Sequence, residues 1–486
     1  MPVAPKHPVR TTRRDFVRKS AAGVVAGLAP SGLTGMSGSM IQSGRNQRIL
    51  LKGGTVLTLD RKIGDFAKAD VLIDGKKIAA IEPNIRADAQ VIDASDTIVM
   101  PGFIDTHHHQ YETILRGVLA DGLLGGPRSY QSDIQAILTP AYRPEDAHIS
   151  ELVASLSQIH AGVTTGVDTS QVSHTPEHTD ACISGLQQAG RRTLFAYSAG
   201  VGAGVQYPQD IRRLRKQHFS SNDQLLTLGM GGGLNRGQWE LAREVGASII
   251  NHVVGNSPAL EELGKAGLMR PDNEYIHCVR LTETAWKMIA DTGGKVSIAT
   301  PIEMQMRHGM PPIQTALDHG IRPSLSVDVE TNMAADMFTV MRSTFTLQRV
   351  LLNERALAGE QNLPRLVTCR EILEMATIQG AIDCHLDHKI GTLTPGKEAD
   401  IIMLRTDAIN VTPLNNVPGA VVTLMDTSNV DTVFIAGKIM KRNGRLVDVD
   451  LRKIRSTVVA SRDAVLARAK YRADLFGSCC VETSLR

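Results

Sequence analysis

A chain of 486 residues with 42% hydrophobic and 21% charged side chains is too long for a miniprotein or a single DNA-binding module, and its composition supports a large buried core rather than disorder. Lysine and arginine number 53 against 50 aspartates and glutamates, so the net charge of +3 offers no field for a polyanion and no nucleic-acid partner is expected. Six cysteines without a C-x-x-C pair give neither a disulfide framework nor a thiolate zinc site, and the vicinal Cys479 and Cys480 read as a tail feature.

In chain order, the first legible element is an address. Thr11-Thr-Arg-Arg-Asp-Phe-Val-Arg-Lys19 precedes a mildly apolar stretch at 21–29, then Pro30 and a Gly/Ser-rich run. The arrangement resembles a twin-arginine export signal: a basic region, a short hydrophobic region, then small residues where a peptidase could cut. That resemblance implies the Tat export machinery as a partner and a periplasmic or exported location. Read instead as a plain basic tail, the same residues leave the protein in the cytoplasm. No segment reaches the roughly eighteen consecutive apolar residues of a membrane span, so no stable span is expected. Residues 1–45 are therefore set apart from the fold.

Residues 46–98 alternate strand-like pieces with turn chemistry, as in Val71-Leu-Ile-Asp-Gly75, and read as a small β module. Text of the same kind returns at 389–450, in Asp400-Ile-Ile-Met-Leu and Val433-Phe-Ile-Ala-Gly. Two half-modules at opposite ends predict one composite β-sandwich. Between them, across 99–388, short apolar strands at 98–105, 162–168, 193–197, 225–230, 248–252, 275–279, 295–299 and 324–328 are separated by helical patterns. Eight strands alternating with helices predict the α/β class and a (β/α)8 TIM barrel. Behind Pro144, residues Ile149, Leu152, Val153, Leu156 and Ile159 fall on one helical face. The segment 451–486 predicts an amphipathic helix, packed on the barrel or on a partner, followed by a tail.

In such a barrel the chemical groups gather at the C-terminal ends of the strands. Here Asp105-Thr-His107-His-His109 ends the first strand, Asp168 the second, His252 the fifth, His277 the sixth and Asp328 the eighth. Alternate residues of a strand face the same way, so His107 and His109 form a two-pronged nitrogen clamp while His108 points elsewhere. A His-x-His pair alone is as often structural or solvent-facing, and the other strand ends give it weight. Imidazole with carboxylate suits zinc or iron, and a set of three histidines and one aspartate leaves a position for water.

Taken together, Pro101-Gly-Phe-Ile-Asp-Thr-His107-His-His109, His252, His277-Cys-Val, Asp328 and Ile390-Gly-Thr-Leu-Thr-Pro-Gly-Lys-Glu-Ala-Asp-Ile401 resemble the amidohydrolase superfamily. Within it the resemblance is to the cytosine deaminase and triazine hydrolase branch, over roughly residues 48–450. It implies a β-sandwich beside a TIM barrel and a metal-dependent hydrolase acting on non-peptide carbon–nitrogen bonds of a small molecule. By the same carry-over, His107, His109, His252 and Asp328 are the implied metal ligands, and His277 orients the substrate or the attacking water. Dinuclear members bridge two metals through a lysine ending strand four. Here that strand reads Leu225-Leu-Thr-Leu-Gly-Met-Gly-Gly-Gly233, with no lysine, which implies one divalent ion per chain, zinc first and iron second. Its glycines could cradle a phosphate, but the phosphate-loop spacing is missing and they read as a turn.

Two departures matter. Ring deaminases of this branch carry a glutamate three residues after the strand-five histidine, and this chain has Gly255 there. Glu112, Glu303 and Glu330 are candidate substitutes, and each also reads as a structural or solvated acid. Where the pattern often has a second histidine after strand six stands Arg280, which could meet an anionic substrate or pair locally. Substrate contacts are expected from Glu112, His174, Arg280 and Glu303, with the loop 111–143, His178 and the segment 303–308 walling the pocket. Asp168 is expected to support a ligand histidine from behind.

A divalent ion makes a nucleophilic water available at neutral pH, and Asp328 can take its proton and return it to the leaving nitrogen. That scheme suits an amide, urea or carbamate. Its rivals are an aminohydrolase of an amino-heterocycle with a substitute proton shuttle, and an exported metal- or ligand-binding protein that has lost catalysis. The intact histidines and Asp328 argue against the last. Family habit implies a homo-oligomer.

Overall fold

The computed structural model describes residues 48–221 and 223–477. The twin-arginine-like stretch and Cys479–Cys480 lie outside these residues. Among the described residues no helix is long and apolar enough to cross a membrane.

Strands from both ends of the chain share one mixed sheet of nine strands. The N-terminal contribution is β1 (Arg48–Val56), β2 (Phe66–Asp74), β3 (Lys77–Glu82), β4 (Gln90–Asp93) and β5 (Thr97–Pro101). Between β5 and the C-terminal strands come the barrel strands β6 (Phe103–His108), β7 (Val163–Ser170), β8 (Arg192–Tyr197), β9 (Leu226–Gly232), β10 (Ser248–Val254), β11 (Asn273–Val279), β12 (Lys295–Ile298) and β13 (Ser324–Leu325). The sheet is completed by β14 (Ile401–Arg405), β15 (Val430–Ile435), β16 (Lys438–Arg442) and β17 (Arg445–Leu446). Its seam is the antiparallel pairing of β5 with β14, from Thr97 against Arg405 to Pro101 against Ile401. Successive residues of a strand point to opposite faces, and both faces of this seam are covered. Val99, Ile401 and Met403 enter the sheet's own core, whereas Ile98, Met100, Ile402 and Leu404 join the large cluster around the barrel. The sheet bends back on itself: Ile78 N–H donates to Lys397 O at 2.9 Å and Ala399 N–H to Lys76 O at 2.8 Å. Gly437, at φ +75°, lies so near this junction that a Cβ would stand 2.0 Å from the Gly75 carbonyl oxygen.

The eight parallel strands β6 to β13 pair in chain order, and the ring closes at the site itself. Asp328 N–H donates to His107 O at 2.9 Å, and His109 N–H donates to Asp328 O at 2.8 Å. One expected strand is corrected. The run 98–105 is two strands, divided at Gly102. Gly102 N–H still bonds the outer sheet, at Asp400 O, whereas Phe103 N–H bonds Gly162 O beside β7, both at 3.0 Å. A change of partner within one apolar run leaves no mark on hydropathy. Inward-facing Ile104, Val167, Leu194, Ala196, Ile250 and Ile276 fill the barrel with Ala381, Leu386 and Ile390. The helix Pro144–His160 buries Ile149, Leu152, Leu156 and Ile159 as its periodicity predicts, with Val153 at the rim. The C-terminal helix Leu451–Arg468 packs on that helix: Arg468 pairs with Asp146 and donates through Nε to Ala141 O at 2.7 Å.

Candidate functional site

At the C-terminal mouth of the barrel the strand ends bring five side chains together. The pleat separates three consecutive histidines as expected: the rings of His107 and His109 stand 4.7 Å apart, edge to face, whereas His108 turns away toward Asp105 (3.7 Å) and Glu330 (3.5 Å). His252, in the last turn of β10, places Nε2 3.3 Å from His109 Nε2. Asp328 Oδ1 lies 3.1 Å from His107 Nε2 and 3.5 Å from His109 Nε2. Single ligand atoms of His107, His109 and His252 all fall within 4.8 Å of one another, as do those of His107, His277 and Asp328.

The backbone is bent to achieve this. Along β10 and β11 the pairing runs from Val253 opposite His277 to Val254 opposite Val279, leaving Cys278 as a bulge that re-aims the histidine before it. His277 and Cys278 both adopt left-handed conformations, at φ +70° and +52°, and so does Asp328 at +66°. Such strain costs about 1–3 kcal/mol per residue and gathers at functional sites.

Burial pushes the His109 imidazole down to about 3, holds His252 well below its ordinary range and lowers His107, so all three present neutral nitrogens. Burial alone would raise Asp328, but its hydrogen bond to His107 and the neighbouring imidazoles, with the raised His277 among them, hold it well below the usual carboxylate range. Two imidazole nitrogens facing each other at 3.3 Å beside a buried, ionised carboxylate, with His109 buried and His252 half-buried, form a donor set suited to a divalent cation. His107 Nδ1 is engaged by Thr169 Oγ1 at 3.0 Å, which leaves Nε2 facing the cluster. His277 stands beside the set, with Nε2 3.7 Å from Asp328 Oδ2 and Nδ1 3.0 Å from Glu303 Oε1. Burial would lower His277, yet the bond to Glu303 and the charge of Asp328 raise it.

The other expected residues are distributed differently. Glu303 holds His277 from behind and accepts from Ala299 N–H at 2.9 Å, so it reaches the cluster only through the imidazole. Glu112 is buried beneath the wall, pushed up to about 8 by burial, and accepts from the Tyr130 hydroxyl at 2.7 Å. Tyr130, not Glu112, faces the cavity. Glu330 is taken up by Thr113, at 2.8 Å, and by Arg116. His174 braces two loops, contacting Thr139 O at 2.9 Å and accepting from Val201 N–H at 3.0 Å, and His178 similarly contacts Tyr142 O at 3.2 Å. Arg280 lies on the exposed shoulder, its guanidinium carbon 3.5 Å from where a Cβ on Gly255 would be. Asp168 faces Glu151 and Arg191, with burial pushing it up to about 8, and the support it was expected to give His107 comes from the next residue, Thr169.

A cavity of about 420 Å³ opens above the cluster. Its lining includes His109, His252, His277 and Asp328, and also Tyr130 and His308. The glycines ending β9 make room for this wall. A Cβ on Gly231 would stand 2.1 Å from Ser198 Oγ, and one on Gly232 would stand 2.4 Å from the Tyr207 hydroxyl. His308 closes the segment 303–308 expected at the pocket wall, whereas Tyr130 and Thr169 carried no individual signal in the sequence, because a tyrosine in a loop or a threonine in a strand is commonplace until its neighbours are known.

Residues 240–440 match the amidohydrolase family. A 5′-deoxyadenosine deaminase from Methanosarcina mazei is 27% identical over 443 residues, covering 86% of this chain and 99% of that protein. A 5-methylthioadenosine/S-adenosylhomocysteine deaminase from Pyrococcus horikoshii is 26% identical over 444 residues, covering 84% and 97%. Among solved structures, an adenosine deaminase from Xanthomonas campestris with bound zinc superimposes with a TM-score of 0.76 at 20% identity, over 87% of this chain and 99% of that one. An atrazine chlorohydrolase from Arthrobacter aurescens complexed with zinc gives 0.73 at 21% identity, over 85% and 100%. At such identities the structural likeness establishes the fold.

Proposed function

We propose that this chain, a member of the amidohydrolase superfamily and an enzyme acting on carbon–nitrogen bonds, is a mononuclear aminohydrolase that releases ammonia from an amino-heterocycle of nucleoside size. The observation that carries this reading is the match to proteins named as 5′-deoxyadenosine and 5-methylthioadenosine/S-adenosylhomocysteine deaminases, which spans 99% and 97% of their lengths, together with the five residues that converge at the strand ends of this chain. His107, His109, His252 and Asp328 are the residues that would hold one divalent ion, and zinc suits three imidazoles with a carboxylate. That ion would supply a nucleophilic water at neutral pH, lowering its pKa from 15.7 towards about 7.

The rest is done by side chains. Asp328, ionised and strained into position, accepts the proton of the attacking water and returns it to the departing nitrogen. His277, fixed through Nδ1 by Glu303, presents Nε2 to the substrate and steadies charge as it develops on the ring. Gly255 delivers no proton to a ring nitrogen. The proton can come instead from the buried Glu112 carboxyl, pushed up to about 8: it passes to the Tyr130 oxygen 2.7 Å away while that hydroxyl, on the cavity wall, gives its own proton to the ring nitrogen.

Gly255 also favours a second reading, cleavage of an amide or urea, in which no ring nitrogen needs a proton. One experiment separates the two. Zinc-loaded protein is offered 5′-deoxyadenosine, 5′-methylthioadenosine and a panel of amides and ureas, and ammonia, amine and carboxylate are assayed together with metal per chain. Ammonia from the nucleosides, one metal per chain and at least a thousandfold loss in Asp328→Asn are expected. Release of an amine and a carboxylate from amides alone would replace the deaminase reading with the second.

A further inference from the structure

A buried histidine in the cavity wall has no hydrogen-bond partner for its ring among the described residues. His308 follows the short helix Thr300–Gln305 and is 4% exposed, and its ring stands 4.8 Å from that of His277, perpendicular to it. Both Nδ1 and Nε2 lack a hydrogen-bond partner among the described residues, although the ring lines the cavity. Burying an imidazole with both nitrogens unpaired is costly, and native proteins seldom do it without a compensating ligand or water. It is held there firmly. Its N–H donates to Glu303 O at 3.1 Å, Arg307 before it is left-handed at φ +56°, and Leu124 N–H ties the turn to the opposite loop through Met306 O at 2.9 Å. It belongs to neither convergent donor set, so the cation does not account for it.

The remainder of the cavity has a consistent chemistry. Apart from Asp328 no side chain lining it carries a fixed charge, and four glutamines face it. The Gln171 and Gln238 carbonyl oxygens are also buried without a partner among the described residues. Unpaired amides and an unpaired imidazole are completed by neutral donors and acceptors, whereas an ionised group would enter with no countercharge.

We propose that His308 is a specificity residue that hydrogen-bonds the substrate beside His277, and that this cavity takes an uncharged, hydroxyl-bearing nucleoside in preference to one carrying a phosphate or an ionised amino-acid group. The inference rests on the deaminase reading and adds a contact and a charge rule to it.

The test uses the zinc-loaded full chain and compares wild type with His308→Leu and His308→Gln. Substrates are 5′-deoxyadenosine and 5′-methylthioadenosine, with S-adenosylhomocysteine and adenosine 5′-monophosphate as the charged comparisons. Wild type should prefer the neutral pair by at least about 10-fold in kcat/KM. His308→Leu should lose about 10- to 100-fold on them, mostly through KM, as expected for an orphaned buried hydrogen-bonding site. His308→Gln should recover part of that loss, and zinc content should stay at the wild-type value in both. A His308→Leu KM within twofold of wild type overturns the contact, and equal kcat/KM for charged and neutral substrates overturns the charge rule. If wild type deaminates none of the four, the deaminase reading falls. His308 is then judged by the same KM criterion on whichever amide or urea the enzyme cleaves, and inactivity on every substrate overturns both.

Discussion

Thr169 shows what a single hydroxyl does when the atoms around it are arranged for a cation. Its Oγ1 lies 3.0 Å from His107 Nδ1, deep in the barrel, and holds the ring so that Nε2 faces Asp328 and the other histidines. Partners of this kind commonly contribute 10- to 100-fold to metal affinity. Thr169→Val, of nearly the same shape, is expected to weaken zinc binding by about that factor, with kcat of the fully loaded enzyme less affected. Competition against a chromophoric chelator measures it, and unchanged affinity would mean that the histidine is oriented by packing alone. The principal residues of the cluster were legible because histidines and an aspartate at the ends of four expected strands are rare in combination. Thr169 was not, since the neighbouring Asp168 has the more conspicuous chemistry yet faces Glu151 and Arg191. Acids could be named from the sequence, but only packing decides that Glu303 grips an imidazole while Glu330 pairs with Arg116.

At the scale of elements, the passage from β5 into β6 sets the position of His107 and His109 relative to the outer sheet. It runs through Gly102, where a Cβ would stand 2.1 Å from Thr164 Cγ2 and 2.3 Å from its Oγ1. The Thr164 side chain packs directly on the Gly102 main chain where the outer-sheet bond at Gly102 N–H gives way to the barrel bond at Phe103 N–H. Gly102→Ala should therefore destabilise by at least the roughly 1–3 kcal/mol of an overpacked core site, and adding Thr164→Ala should return part of it. Urea midpoints of the two single variants and the double variant decide: simple additivity would show that the collision is not the cause. The count of barrel strands and the helix beginning at Pro144 were legible from period and punctuation. The break at Gly102 was not, because strand text reads the same whichever sheet the strand joins.

For the whole molecule, the ring of strands closes through the residues that gather the cation. Asp328 bonds the main chain of His107 on one side and accepts from His109 N–H on the other, so the last strand meets the main chain of the first at the cluster, with Thr106 reaching Ser324 at 2.8 Å below it. Without a bound ion the buried Asp328 carboxylate at this junction is offset chiefly by His107 Nε2 at 3.1 Å, while His109 Nε2 and His252 Nε2 face each other at 3.3 Å. Any ligand bound only by the folded state adds RT ln(1 + [L]/Kd) to stability, about 2.7 kcal/mol at a hundredfold excess over Kd. Chelation should therefore lower the melting temperature by several degrees, and zinc should restore it in a concentration-dependent way. The C-terminal helix, docked through Arg468 on Asp146 and contributing no residue to the cluster, should remain folded up to the same transition in both forms. Hydrogen exchange on the chelated protein checks the location of the effect. Loss of protection confined to β6, β13 and their connecting loops is expected, whereas uniform loss over the outer sheet as well would mean that the cation stabilises the fold globally and not through the closing seam.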